Sequence, residues 1–153
     1  MTTGSPGDGS GGFTADRSRR ESRERTVELA YEAAIRGLTV DEMLATLILP
    51  APPFAVELLR RSERHQEESD RLIEGRATGW TLARMPVLDL VIMRLAVAEL
   101  IDGETPKGVV LSEAVELAGR YSTDESSRFV NGVLAAVAAD LAADRREGSP
   151  EST

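Results

Sequence analysis

Residues 86–102, with the sequence PVLDLVIMRLAVAELID, form the longest apolar stretch of the chain. Apolar side chains fall on nearly every side of a helix here, and a helix that is apolar all round belongs at the centre of a bundle. The stretch carries Asp89, Arg94 and Glu99, and it is too short and too charged to span a bilayer. It therefore predicts a buried central helix with other helices packed around it.

The chain carries seven helical segments in all and no credible strand. Capping-box patterns, in which Ser or Thr precedes Glu by three positions, open three of these segments at 18–21, 39–42 and 122–125. Gly37 ends the first helix, and a proline cluster from Pro50 ends the second. The predicted fold is all-α, a compact bundle of about seven helices. The predicted segments are 18–37, 39–49, 54–74, 80–84, 86–102, 106–121 and 122–144.

Composition divides the 153 residues into one domain and two tails. Residues 1–16 are rich in Gly, Ser, Thr and Pro and cannot bury a core, so they are predicted to be a disordered leader. The same argument predicts a disordered tail over 145–153. The helical domain is predicted to cover 17–144.

Charge is distributed unevenly along the chain. The net charge is −8, yet residues 17–25 hold five arginines and two glutamates, a net +3 that leaves −11 for the rest. An acidic body disfavours general nucleic-acid coating, and one basic patch would confine any RNA contact to a single place. The same run also fits a solvent-exposed, salt-bridged helix end. There is no cysteine, which excludes disulfides and thiolate chemistry, and no secretory signal is visible, so a cytoplasmic location is expected.

The arginines at the start of the first helix lie on one helical face. At about 100° per residue, Arg19, Arg20 and Arg23 continue the stripe that further along carries the core residues. Because charges are not packed into a core unpaired, we expect the first two turns to overhang the bundle and face solvent. Arginine suits RNA, since its planar fork grips phosphate and stacks on unpaired bases.

The last helix carries an Asn-Gly pair inside a run with helical spacing, FVNGVL at 129–134. Asn-Gly normally marks a turn, and glycine within a helix costs about 1 kcal/mol relative to alanine. The pattern predicts that some backbone comes close at Gly132. Phe129 and Tyr31 are candidate aromatic platforms for a base, although each also fits the core.

Together these motifs resemble the NusB family of transcription antitermination factors. The resemblance covers most of the chain, from about Arg19 to Leu141. The matching pieces occur in the family's order: the Arg-rich start, VELAYE at 27–32, residues 80–88, MRLA at 93–96, EL at 99–100, Pro106, EAVELA at 113–118 and FVNGVL at 129–134.

The resemblance implies an all-helical protein that pairs with the ribosomal protein NusE. Such a pair binds boxA RNA and keeps polymerase transcribing ribosomal RNA operons, with the other Nus factors and polymerase engaged indirectly. No cofactor or metal is expected. The implied RNA-binding residues are Arg17, Arg19, Arg20, Arg23, Phe129, Asn131 and Gly132. The implied NusE surface lies near Glu99 and helices 5 and 6, with Arg94 and Glu113.

Two positions depart from the family pattern. Glu21 lies within the arginine cluster, where the family often has a basic residue, and Ala98 replaces the tyrosine usually found before the Glu99–Leu100 pair. The first predicts weaker phosphate contact, and the second puts the local partner surface in doubt.

Two other functional classes compete with RNA binding. The only histidine, His65, has no serine or carboxylate constellation that supports catalysis, so no enzyme activity is expected. A helical interaction module, for example a homodimer with weak or no RNA binding, is the other alternative. Related domains head certain ribosomal RNA cytosine methyltransferases, but nothing here resembles a methyl-donor site.

Overall fold

The computed structural model describes the backbone of residues 10–148 and the side chains of residues 18–148. This part of the chain contains seven α-helices, a 3₁₀ turn at Leu82–Arg84 and no strand, which confirms the predicted all-α bundle. The helices are α1 (Ser10–Arg36), α2 (Val40–Ala45), α3 (Pro53–Arg64), α4 (Gln66–Arg76), α5 (Val87–Asp102), α6 (Lys107–Tyr121) and α7 (Asp124–Glu147). Within residues 10–148, no helix has the length and apolar character needed to cross a membrane.

Helix α5 is the centre of the bundle, as predicted. It packs against α1, α3, α4, α6 and α7, and its side chains are buried almost without interruption from Asp89 to Leu100. Gly103 ends it in the left-handed conformation, with φ of 69°. Arg145 of α7 donates hydrogen bonds to the carbonyls of Leu100 and Ile101, at 2.7 and 2.9 Å, and so caps the last turn of α5.

The helix starts follow the capping patterns in one case of three. Thr39 and Glu42 form a complete capping box at the start of α2. At α7 the cap is Thr123 rather than Ser122, and the Thr123 hydroxyl accepts a hydrogen bond from the Ser126 amide. Ser122 is the C-cap residue of α6, where its amide donates to the carbonyl of Ala118. The predicted start of the first helix at residue 18 is wrong, since α1 begins at Ser10. Extending an existing helix needs no new nucleus, so the segment can begin upstream of a capping pattern.

The predicted boundaries of the tails shift accordingly. Residues 10–16 of the predicted leader are helical, and residues 1–9 lie outside the described part of the chain. At the other end, α7 continues to Glu147, past the predicted domain end at 144, because Arg145 is tied to α5. Residues 149–153 of the predicted tail lie outside the described range.

The long helix predicted over 54–74 is wrong, because it breaks at His65 into α3 and α4. The imidazole Nε2 of His65 lies 2.9 Å from Oδ1 of Asp102, and Nε of Arg61 lies 2.7 Å from the other carboxylate oxygen. These contacts fix the break to the end of α5. The change of direction lets α3 pack against α1 and α5, whereas α4 packs against α5 and α7.

Helices α6 and α7 approach closely at Gly119. A Cβ at Gly119 would lie 2.9 Å from Oγ of Ser127, and that hydroxyl donates to the carbonyl of Val115 at 2.9 Å. A side chain at this position would therefore displace the Ser127 hydroxyl from its hydrogen bond with Val115. The contact sets the path of α7 over the bundle.

Candidate nucleic-acid interface

Arg23 is buried, contrary to the expectation that it faces solvent. Only 7 % of its surface is exposed, and its Nη2 lies 2.9 Å from Oε1 of Glu99. Its guanidinium also lies 5.2 Å from the centroid of the Phe54 ring. The core-facing stripe of α1 thus continues through Arg23, and the charge is tolerated because Glu99 neutralises it.

The predicted overhang of the first helix is also wrong. The arginine segment of α1, residues 17–25, lies beside α6. Nη2 of Arg20 lies 3.7 Å from Oε1 of Glu113 and 3.7 Å from Oε2 of Glu116. One turn later, Glu24 forms an ion pair with Arg120. These contacts hold the segment against the bundle and leave Arg20 about half exposed.

The other arginines of the cluster differ in their surroundings. Arg19 is exposed and makes no ion pair within residues 18–148. Arg25 pairs with Glu28 one turn along the same helix, at 3.2 Å. The side chain of Arg17 lies outside the described residues. Of the predicted RNA-binding arginines whose side chains are described, two therefore face solvent, Arg19 and Arg20.

Phe129 forms an aromatic wall together with Trp80. Their ring centroids are 6.2 Å apart and the planes are inclined by 58°, and 48 % of Trp80 is exposed. The two rings line an open cavity of about 380 Å³, together with Thr123 and Glu125 at the start of α7. The face of an aromatic ring beside such an opening can stack an unpaired base. Trp80 is absent from the predicted RNA-binding residues, because its contact with Phe129 is a tertiary contact that the local sequence does not reveal.

Asp89 fixes the first turn of α7, and with it Phe129. The hydroxyl of Ser126 donates to Oδ2 of Asp89 at 2.9 Å, and the same residue's amide donates to Thr123. Burial raises the pKa of Asp89, while hydrogen bonds from Ser126 and Ser122 act in the opposite direction. The signal in the sequence was a carboxylate within an apolar helix, which needs a hydrogen-bond donor from a neighbouring element.

The end of α6 lies between the arginine segment and the aromatic wall. Arg120 pairs with Glu24 of α1, and burial together with the neighbouring Glu28 carboxylate raises the pKa of the Tyr121 hydroxyl. Ser122 then lines the cavity beside Phe129. One continuous surface therefore runs from α1 across the end of α6 to the start of α7. Tyr31 is 41 % exposed rather than in the core.

Asn131 and Gly132 are exposed on α7, next to Phe129. A Cβ at Gly132 would meet nothing within 4 Å, so no group of the described residues makes a close approach there. The predicted close approach at Gly132 is therefore not made by the described residues, and it stays a prediction for an external partner. The glycine leaves a smooth strip of helix surface, open to an external partner.

Gly132→Ala is expected to stabilise the free protein by about 0.5–1 kcal/mol, because alanine loses less backbone entropy within a helix and has open space here. Urea denaturation measures the change. Gly119→Ala is the control and should gain less or lose stability, since its Cβ would crowd Ser127. A loss of stability in Gly132→Ala would contradict the open surface.

The predicted partner-binding residues do not form a common surface. Glu99 is only 5 % exposed and is bound to Arg23 inside the bundle. Arg94 donates two hydrogen bonds to Asp70 of α4, at 2.6 and 2.9 Å, and Glu113 lies beside Arg20. Ala98 is fully buried, so its departure from the family pattern lies in the core.

Glu99→Ala is expected to destabilise the protein by about 3–5 kcal/mol, the usual cost of leaving a buried charge without its partner. Urea denaturation again provides the measurement. Glu116→Ala removes an equal charge from the surface and should cost about 0.5 kcal/mol or less. Equal losses in the two variants would show that Arg23 has no need of Glu99.

Candidate metal ligands among the described residues are His65 and the carboxylates. No group of three or more His, Asp or Glu side chains within residues 18–148 is arranged to hold a metal ion. His65 is partly buried and bonded to Asp102, in the ion-pair cluster with Arg61 described above. Its role is to fix the break between α3 and α4.

Residues 20–139 match the NusB family model. The chain belongs to the NusB family. This confirms the resemblance drawn from the motifs, and the match includes α5, the FVNGVL element and most of the arginine segment. Arg17 and Arg19 precede the matched residues.

Relatives and solved structures agree with the family. The transcription antitermination protein NusB of Acidothermus cellulolyticus is 46 % identical over 130 residues, which cover 82 % of this chain and 90 % of that protein. The structure of T. maritima NusB superposes with a TM-score of 0.72 at 28 % identity, over 86 % of this chain and 97 % of that one. A crystal structure of the antitermination factors NusB and NusE in complex with dsRNA gives a TM-score of 0.70 at 28 % identity, over 81 % and 98 % of the two chains.

Proposed function

We propose that this chain is a transcription antitermination factor that binds boxA-type single-stranded RNA together with NusE and so supports transcription of ribosomal RNA operons. The observation that carries the proposal is the continuous surface from Arg19 and Arg20 to the Trp80–Phe129 wall, in a chain of the NusB family. A solved relative that contains NusB, NusE and RNA supports it. The proposal includes a cytoplasmic location and no catalytic activity.

Each part of this surface suits a different part of the RNA. Arg19 and Arg20 are exposed cations and bind phosphate, with Arg17 just upstream on the same helix. The Trp80–Phe129 wall stacks an unpaired base. Asn131 and Gly132 let the RNA backbone approach α7 closely. Arg128 adds a further exposed cation beside Phe129, with no ion pair inside residues 18–148.

Arg23 has a different role from its neighbours in this proposal. Because its guanidinium is bound to Glu99 inside the bundle, it holds α1 in place and does not contact RNA. The arginines of α1 therefore have two different functions, RNA contact and the positioning of the helix. The exposed pair upstream supplies the charge, and Arg23 positions that pair.

The proposal that the chain binds NusE is supported by the negative net charge of the chain. The chain carries −8 overall, and ribosomal proteins are basic, so the acidic surface steers NusE towards it. The NusE surface excludes Glu99, which is buried. Contacts to the other Nus factors and to RNA polymerase are indirect, through the assembled complex.

The double variant Arg19→Ala and Arg20→Ala is expected to lose most boxA RNA affinity, with the thermal unfolding midpoint nearly unchanged, because both side chains are exposed. A fluorescence titration with NusE present, repeated at several salt concentrations, measures this. The log–log salt slope should become less steep by about 1.4, or about 0.7 for each lost phosphate contact on a single strand.

Two matched variants control this experiment. Arg60→Ala with Arg64→Ala removes the same charge from α3 and should leave affinity close to wild type. Arg23→Ala should instead lower the unfolding midpoint, since it leaves Glu99 buried without its partner. If the α1 and α3 double variants bind RNA equally well, the RNA surface lies elsewhere.

A helical interaction module with little RNA binding is the second candidate. The α2–α3 loop favours it, because Ile48 and Leu49 are 98 % and 79 % exposed, and adjacent exposed aliphatic side chains are typical of contact surfaces. Such a module could form a homodimer. If the chain is such a module, the fluorescence titration will show no selective RNA binding even with NusE present.

A further inference from the structure

Arg20 is the predicted RNA-binding arginine of α1 that is both exposed and close to carboxylates of another helix. Its Nη2 lies 3.7 Å from a carboxylate oxygen of Glu113 and 3.7 Å from one of Glu116. Glu113 and Glu116 are three residues apart on α6, so both lie on the same face of that helix. The guanidinium therefore rests between two negative charges in the free chain.

We propose that the ion pairs of Glu113 and Glu116 with Arg20 form an autoinhibitory contact. The two carboxylates occupy the Arg20 guanidinium until the phosphates of a bound RNA displace them. The proposal rests on the proposed function, because it assigns Arg20 to the phosphate-binding surface. Phosphate oxygens and the two carboxylates compete for the same guanidinium donors. Each RNA molecule that uses Arg20 must first break the contact with α6.

The ion pairs between Arg20 and α6 are weak enough for RNA to displace them. The side chains of Arg20 and Glu116 are 48 % and 45 % exposed, whereas that of Glu113 is 16 % exposed, and both distances exceed those of a short charge-assisted hydrogen bond. Because the guanidinium stays half exposed to water, both pairs are weakened by solvent and screened by salt, the pair with Glu116 most of all. RNA can displace them, unlike the buried pair that Arg23 makes with Glu99.

The placement of Arg20 follows from that buried pair. Arg23 binds Glu99 of α5, which fixes the rotation of α1 about its axis. Arg20 lies one turn upstream on the same side, and the ion pair of Glu24 with Arg120 holds the same stretch of α1 on α6. Arg20 therefore reaches Glu113 and Glu116, whereas Arg19 has no anionic partner within residues 18–148.

A double-mutant cycle tests the proposal. Glu113→Gln with Glu116→Gln is expected to tighten boxA RNA binding about three- to five-fold at low salt, the most that exposed ion pairs usually provide. In the Arg20→Gln background, the same two changes should give a much smaller gain, because no guanidinium is then released. Glu67→Gln with Glu68→Gln, at the exposed start of α4, controls for the change in net charge.

The outcomes separate the alternatives. A gain in RNA affinity that depends on Arg20 and becomes smaller at high salt supports the autoinhibitory contact. Equal gains with and without Arg20 mean that the two glutamates only repel phosphate, and no gain means that they do not compete; either result overturns the proposal. Glu116→Gln alone, at a half-exposed position, repeats the test if the double variant proves unstable. A wild-type chain that binds no RNA even with NusE overturns the proposed function as well.

Discussion

The buried ion pair between Arg23 and Glu99 is the contact on which the RNA-facing surface depends. It joins residues 76 positions apart and ties the first part of α1 to the central helix. Thr105 Oγ1 lies 3.4 Å from the same Glu99 oxygen, and Phe54 packs against the guanidinium. A charge so deeply buried is stable only with its partner, so α1 has one rotation about its axis in which it can pack.

This rotation decides which arginines reach solvent. Arg23 faces the core, so Arg20 faces the edge of α6. Arg19 is exposed and makes no ion pair with the described residues of α6. The end of α6 then carries the surface on to Phe129, which the Asp89–Ser126 hydrogen bond holds in place. Two polar residues of the apolar central helix, Asp89 and Glu99, thus position the two halves of the candidate interface.

Much of the fold could be predicted from the sequence, because its signals are local. The apolar period of α5 and the Thr39 capping box each depend on a few neighbouring residues, and the ordered motifs identified the family. The break at His65 could not be predicted, since its partner Asp102 lies 37 residues away. The site was harder still: periodicity placed Arg23 on the core-facing stripe, but only the tertiary contact with Glu99 shows that it stays there.

The most direct test is an NMR titration that follows the arginine Nε–H signals while boxA RNA is added in the presence of NusE. Arg19→Lys, Arg20→Lys and Arg23→Lys variants assign the three signals. We expect the Arg19 and Arg20 signals to shift with RNA, while the Arg23 signal stays in place and exchanges slowly with solvent, because that guanidinium is buried against Glu99. An Arg23 signal that shifts together with the other two would contradict the account.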